Sequence, residues 1–203
     1  TFTNSGTITT SGNSGYGIYS ISNSGTNTFT NSGTITTSGQ YGHGMSSLSQ
    51  ASGSTSTFTN SGTITARGQY GDGIHSENNS GTSTLTNSGT ITTSGGSHGI
   101  SSESSSGTSI MANSGEITVS GSGGNKNGIW STENTGTVTI TNSGKISTSG
   151  NWKVGIYSST DSNVVTITNS GEISTIDRYG WGIASYNNSR TNTITNSGTI
   201  TTS

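Results

Sequence analysis

The sequence predicts an all-β chain wound as a parallel β-solenoid, a β-helix with three short strands per coil, about 27 residues per coil and about seven coils. Three observations predict it. The string Asn-Ser-Gly-x-Ile returns eight times, at intervals of 26 to 29 residues. A second string, Gly-Ile-x-Ser with one Gly-Met variant, alternates with it seven times. Three apolar positions keep step with both strings along the whole chain. Self-similarity at such a period is the mark of a stacked repeat, in which each copy buries its apolar side only against its neighbours.

The anchors are Asn4, Asn31, Asn60, Asn87, Asn113, Asn142, Asn169 and Asn196. The first apolar row lies two residues before each: Phe2, Phe29, Phe58, Leu85, Met111, Ile140, Ile167, Ile194. The second lies four after: Ile8, Ile35, Ile64, Ile91, Ile117, Ile146, Ile173, Ile200. The third is the Gly-Ile position: Ile18, Met45, Ile74, Ile100, Ile129, Ile156, Ile183. Each row sits in a short stretch that alternates apolar with polar and is rich in Thr, Ile and Val, the period-two signature of a strand. No stripe of 3.6-residue period exists, which excludes a helix. Length changes fall in 49–55 and 120–127, both rich in Gly and Ser, as expected of surface loops between strands held in register. Coils about 4.8 Å apart give a rod roughly 35 Å long. Right-handed winding is expected, because parallel crossovers strongly prefer that hand.

Two smaller features follow from the same geometry. The Asn-Ser-Gly corners supply residues that tolerate positive φ at a tight bend. Asn31, Asn60, Asn87, Asn113, Asn142 and Asn169 are expected to stack as an amide ladder along the axis. The invariant Ser after Gly-Ile-x (Ser20 through Ser185) has inward parity and marks where the coil narrows.

Composition narrows the function. Only 23% of residues are hydrophobic and 7% charged, and the net charge is −2, which gives nucleic acid and anionic lipid nothing to hold. No apolar run is long enough to span a membrane. With no Cys and no Pro, disulfides, thiolate metal sites and collagen-like structure are excluded. Phase over seven periods argues against disorder, which such a composition alone would permit. Thr1 begins within a strand and Ser203 stops soon after an anchor. Residues 1–203 are therefore expected to be one solenoid domain, an internal piece of a longer rod, with neighbouring chains stacking at open coil ends.

The pattern Thr-Ile-Thr-Asn-Ser-Gly-Thr-Ile-Thr followed by Gly-Ile-x-Ser resembles the passenger repeats of bacterial autotransporter and filamentous haemagglutinin-like adhesins. The resemblance covers the whole chain. It implies export across a Gram-negative outer membrane and display at the bacterial cell surface.

A search for chemistry finds little that converges. The acids are Asp72, Asp161, Asp177, Glu77, Glu103, Glu116, Glu133 and Glu172. His43 and His98 both sit two before the Gly-Ile position but two repeats apart, and His75 sits one after it. No adjacent pair of histidines is expected, so each His reads as a lone surface residue, with no metal, no cofactor and no catalytic residue. Glu116, Lys145 and Glu172 share one outward row as an ion ladder worth little.

The aromatic residues say more. Trp130, Trp152, Trp181, Tyr16, Tyr19, Tyr41, Tyr70, Tyr157 and Tyr179 all fall within four residues of the Gly-Ile position. Tyr19, Trp130, Trp152, Tyr157 and Trp181 form a candidate stripe for stacking on sugar rings or on a partner chain, or else a shield for a wide corner. Outward Thr rows one, three and five before the anchor make a flat grid, as in ice-binding solenoids, broken by Ile110 and Ala112. The expected function is a secreted or surface-displayed structural and adhesive rod. Its partners are copies of itself or a host or glycan surface. Ice binding is the alternative, and a polysaccharide-active solenoid enzyme ranks below both.

Overall fold

The computed structural model describes residues 1–21, 24–48, 51–77, 79–95, 97–103, 105–121, 126–159, 164–176, 178–186 and 191–203. Asp161, Asp177 and parts of both variable loops lie outside them. The chain is all-β and winds as the parallel β-solenoid of three strands per coil that the periodicity predicts. Three sheets form its sides. The first sheet holds eight strands that end at the anchors, from Phe2–Asn4 through Thr26–Asn31 to Thr191–Asn196. The second holds eight, from Thr7–Thr10 to Thr199–Thr202. The third holds seven, from Ile18–Ile21 to Trp181–Tyr186.

Register follows from the apolar rows. Phe58 pairs with Leu85, Leu85 with Met111 and Met111 with Ile140 in the first sheet. Ile91 pairs with Ile117 in the second and Ile100 with Ile129 in the third. A slip of one residue would turn every such side chain to solvent, so the alternation pins each strand. The three columns fill the interior: Phe58, Ile64, Ile74, Leu85, Ile91 and Ile100 are all wholly buried. The inward serines add a polar seam, with Ser76 Oγ 2.8 Å from Ser83 Oγ and Ser102 Oγ 2.9 Å from Ser109 Oγ. In the later coils Val138 and Val165 replace the second serine of each pair.

The anchor residues form a continuous amide ladder. Asn31 Nδ2 donates to Asn60 Oδ1, Asn60 to Asn87 and Asn87 to Asn113, each at 2.8 Å. Asn113 continues to Asn142 at 2.8 Å, and Asn142 to Asn169 at 2.7 Å. Each amide also donates to the carbonyl two residues on, as Asn87 does to Gly89 O at 3.1 Å. Replacing Asn87 by Ala leaves Asn60 Nδ2 and Asn113 Oδ1 each short of a partner in the buried ladder. The expected cost is about 2 kcal/mol, readable as a lower urea midpoint with unchanged slope.

The corner glycines correct an expectation. Among the described residues, positive φ occurs at Gly53, Gly121 and Gly150 and at the non-glycines Glu133 and Trp152, and not at the Asn-Ser-Gly glycines. Crowding selects glycine at those corners. A Cβ on Gly89 would lie 2.1 Å from the carbonyl oxygen of Gly62 in the coil before it.

The outward Thr rows of the first sheet stand in register, Thr57 beside Thr84 and Thr139 beside Thr166, with Ile110 and Ala112 interrupting them.

Candidate functional site

The outer face of the third sheet carries two adjoining hollows. Its strands begin at the Gly-Ile string, so the residues one and three after the Ile point outward, and the residue two before it lies at the strand's entry. Stacking turns these positions into files along the axis: Tyr16, His43, Asp72, His98, Asn127, Val154 and Trp181 in one, and Tyr19, Ser46, His75, Ser101, Trp130, Tyr157 and Ala184 in the next.

The first hollow is an aromatic groove of about 480 Å³ over the later coils. Four of the five stripe residues expected from sequence line it: Trp130, Trp152, Tyr157 and Trp181. Tyr179 and Tyr186 complete it. Trp152 stacks on Tyr179 at 4.5 Å between ring centroids, and Tyr186 meets Tyr157 at 5.8 Å and Trp181 at 6.0 Å. Trp152 has φ 60°, a region that a non-glycine adopts only under constraint. Trp152 and Trp181 remain about half exposed. No lining residue is charged; Asn127, Thr132 and Ser159 supply the polar groups. Tyr19 does not join the groove. It sits in the first complete coil, stacked on Tyr16 at 4.5 Å. Tyr186 was missed in the sequence, although its place three after Ile183 puts it on the same outward face.

The second hollow, about 400 Å³, opens beside the first and shares Trp130 with it. It overturns the expectation of lone surface histidines. His75 and His98 are buried and His43 nearly so. The cause is a residue of the same file: Asp72 stands between His43 and His98. Four successive side chains of this file, His43, Asp72, His98 and Asn127, each accept from the backbone N–H of the next coil. Asp72 N donates to His43 Nδ1 at 3.0 Å, His98 N to Asp72 Oδ1 at 2.7 Å, Asn127 N to His98 Nδ1 at 3.0 Å and Val154 N to Asn127 Oδ1 at 3.0 Å. A second side-chain ladder thus runs along the axis, built from mixed residue types.

Asp72 is its hub. Ser101 Oγ donates to Asp72 Oδ2 at 2.6 Å and lies 2.8 Å from His75 Nδ1. His75 Nδ1 is itself 3.3 Å from Asp72 Oδ2, and its Nε2 is 3.4 Å from Glu77 Oε2. Both ring nitrogens of His75 therefore face acceptors. Burial alone would depress its pKa, but the hydrogen bonds to Asp72 and Glu77 prevail and hold it at about 9. Burial likewise works to raise Asp72, and the histidines around it keep its carboxyl well below the usual carboxylate range. His43 and His98 have no such pair of acceptors, and burial lowers them to about 4 and about 3. Burial raises Glu103 to about 7, against the attraction of His75 and with the help of Asp72, Glu77 and Glu133.

His43, Asp72 and His75 also bring one possible metal-ligating atom each within 4.8 Å of one another. Their arrangement suits proton holding better than chelation. The His43 and His75 rings lie face to face, 4.3 Å apart and 6° from parallel. Imidazole lone pairs lie in the ring plane, so parallel rings aim past a common ion. His43 Nδ1 already takes the Asp72 N–H.

Residues 1–103 match the family model of the BigA third pectate lyase-like domain. The chain belongs to that family. The match fits the bacterial surface β-helix that the repeats resemble. It includes His43, Asp72, His75, His98 and Glu103, while the aromatic groove lies in the coils beyond it. No curated protein and no solved structure matches the chain.

Proposed function

We propose that this chain is a stretch of a rod displayed on a bacterial surface, and that its work is adhesive: the solenoid carries the aromatic groove, and the groove takes a glycan. The observation that carries this reading is the groove. Indole and phenol rings beside amide and hydroxyl groups, with no charge among the lining residues, complement a sugar chain, whose rings have apolar faces and hydroxyl edges. The family match supports surface display. Export as an adhesin passenger is the finer proposal, with a host glycan or the glycan of a neighbouring cell as partner. The interruption by Ile110 and Ala112 of an otherwise regular Thr grid favours this reading over ice binding.

The test is retention on a glycan array. Trp130→Ala with Tyr157→Ala is expected to weaken binding roughly tenfold, since each ring stacked on a partner contributes about 0.5–1.5 kcal/mol. Circular dichroism of the variant should match the parent, because both side chains lie on the outer face. Unchanged retention would rule the groove out as the binding surface.

A further inference from the structure

We propose that the glycan taken by this face carries a free amino group, seated in the second hollow between the carboxylates of Glu77 and Glu103 and beside the rings of Tyr70 and Trp130. This rests on the reading of the aromatic groove and names the chemistry of its ligand. The two hollows adjoin at Trp130, which lines both, so a chain stacked on Trp130 in the groove brings its next residue to the second hollow.

There it meets a different surface. Glu77 and Glu103 occupy the same outward file on neighbouring strands and pair in register. Their backbones are thus about 4.8 Å apart. An ammonium group making charge-assisted hydrogen bonds of about 2.8 Å to either side bridges such a gap. Like charges placed directly opposite each other in a sheet repel, and a cation between them removes that repulsion. Glu77 has His75 at 3.4 Å. Glu103, among the described residues, has no cation within ion-pair distance. Burial raises its pKa to about 7, and the neighbouring Asp72, Glu77 and Glu133 add to this against the attraction of His75, so a cation seated beside it would restore its charge.

The aromatic wall already holds such a group. The Lys126 ammonium lies 5.5 Å from the centre of the Tyr70 ring, a cation–π contact made by the chain's own amine at the edge of this hollow. A neutral sugar has no use for the carboxylate pair. An acidic sugar would meet the carboxylates of Glu77 and Glu103, which pair across neighbouring strands.

The experiment is calorimetric titration of the whole chain, near neutral pH, with oligosaccharides of β-linked glucosamine and with the fully N-acetylated oligosaccharides of the same length. The free-amine form is expected to bind about tenfold tighter, as a charge-assisted pair gives. Glu103→Gln, alone and with Glu77→Gln, should erase that preference and leave the affinity for the acetylated form unchanged. Lys126→Ala should strengthen binding of the free-amine form by removing a competing cation. Equal binding of the two forms, with both weakened by Trp181→Ala, would keep the groove and overturn the amine site. Binding of neither form would overturn both readings. Weaker binding after Lys126→Ala, or a preference for oligosaccharides of acidic sugars, would also overturn the amine site. So would tight calcium binding, titrated alone and lost in Glu77→Gln, because it would make the pair a metal site.

Discussion

Asp72→Ala is expected to lower the unfolding free energy by about 3–5 kcal/mol, the cost of breaking a buried ion pair by removing one partner. The carboxylate takes the backbone N–H of His98, the hydroxyl of Ser101 and the imidazolium of His75. Without it, a buried cation keeps only Glu77, and two donors lose their acceptor. Adding His75→Ala to Asp72→Ala should recover a large share of the loss, because the unpaired charge disappears. A double-variant loss equal to the sum of the two single losses would mean that the pair contributes nothing as a pair. The measurement is urea unfolding of all four members of the cycle.

The same network sets a pH profile with its maximum near 6.5, the ordinary histidine value. His75 is raised to about 9 in the fold. Its contribution is complete below about 6.5 and is lost as pH rises through about 9. His43 and His98 are lowered, to about 4 and about 3. Theirs is complete above about 6.5 and is lost as pH falls through those values, roughly 3 kcal/mol or more apiece. Glu103, raised to about 7 from 4.5, works in the opposite sense between those values and offsets part of the acid loss. Asp72→Ala should shrink the alkaline limb and move it to lower pH, because His75 then keeps only Glu77 to hold its proton. An alkaline limb unchanged in size and position in this variant would place its origin elsewhere.

The architecture was legible because it is written in phase. Ile91 above Ile64 and below Ile117 needs no knowledge of side-chain conformation, only that a residue returns to the same place in each period. The amide ladder was legible for the same reason: one residue type recurs at every anchor, so any stacked arrangement brings it to itself. The second ladder was hidden because its members differ. Tyr16, His43, Asp72, His98 and Asn127 share a file, and reading that file by position places Asp72 between the two histidines. Reading it by residue type separates them by two repeats. Other features were beyond sequence. The file order does not show that Ser101 turns its hydroxyl toward Asp72, nor that Trp152 leaves the loop at positive φ to stack on Tyr179. Those depend on side-chain and loop conformations that no periodicity encodes.

Gly99→Ala is expected to cost about 3 kcal/mol, the upper part of the range for overpacking, though it adds one methyl group and changes no charge. Gly99 lies outside the described positive-φ residues, so backbone freedom is not the reason. Its place between the second and third sheets is. An added Cβ would stand 2.3 Å from Ile117 Cγ2 and 2.6 Å from the carbonyl oxygen of Gly128. Ile117 is wholly buried in its column, and its β-branch is stiff at χ1, so the methyl cannot swing aside without disturbing Ile91 and Ile146. Gly128 belongs to the next coil, and its backbone is held by the ladder. Relief requires coil separation, which strains the bonds from Ile74 N to Gly99 O and from Gly99 N to Asn127 O. The two contacts are separable. Ile117→Leu removes the β-branch methyl but not the carbonyl, so Gly99→Ala with Ile117→Leu should regain part of the loss and no more. Full recovery would make the isoleucine column the sole constraint. No recovery would make it the approach of successive coils. Gly44, Gly73 and Gly128 meet the same pair of neighbours in their own coils. The glycine of the Gly-Ile string is therefore set by how closely one coil lies on the next, and the same substitution at Gly73 should cost about as much as at Gly99.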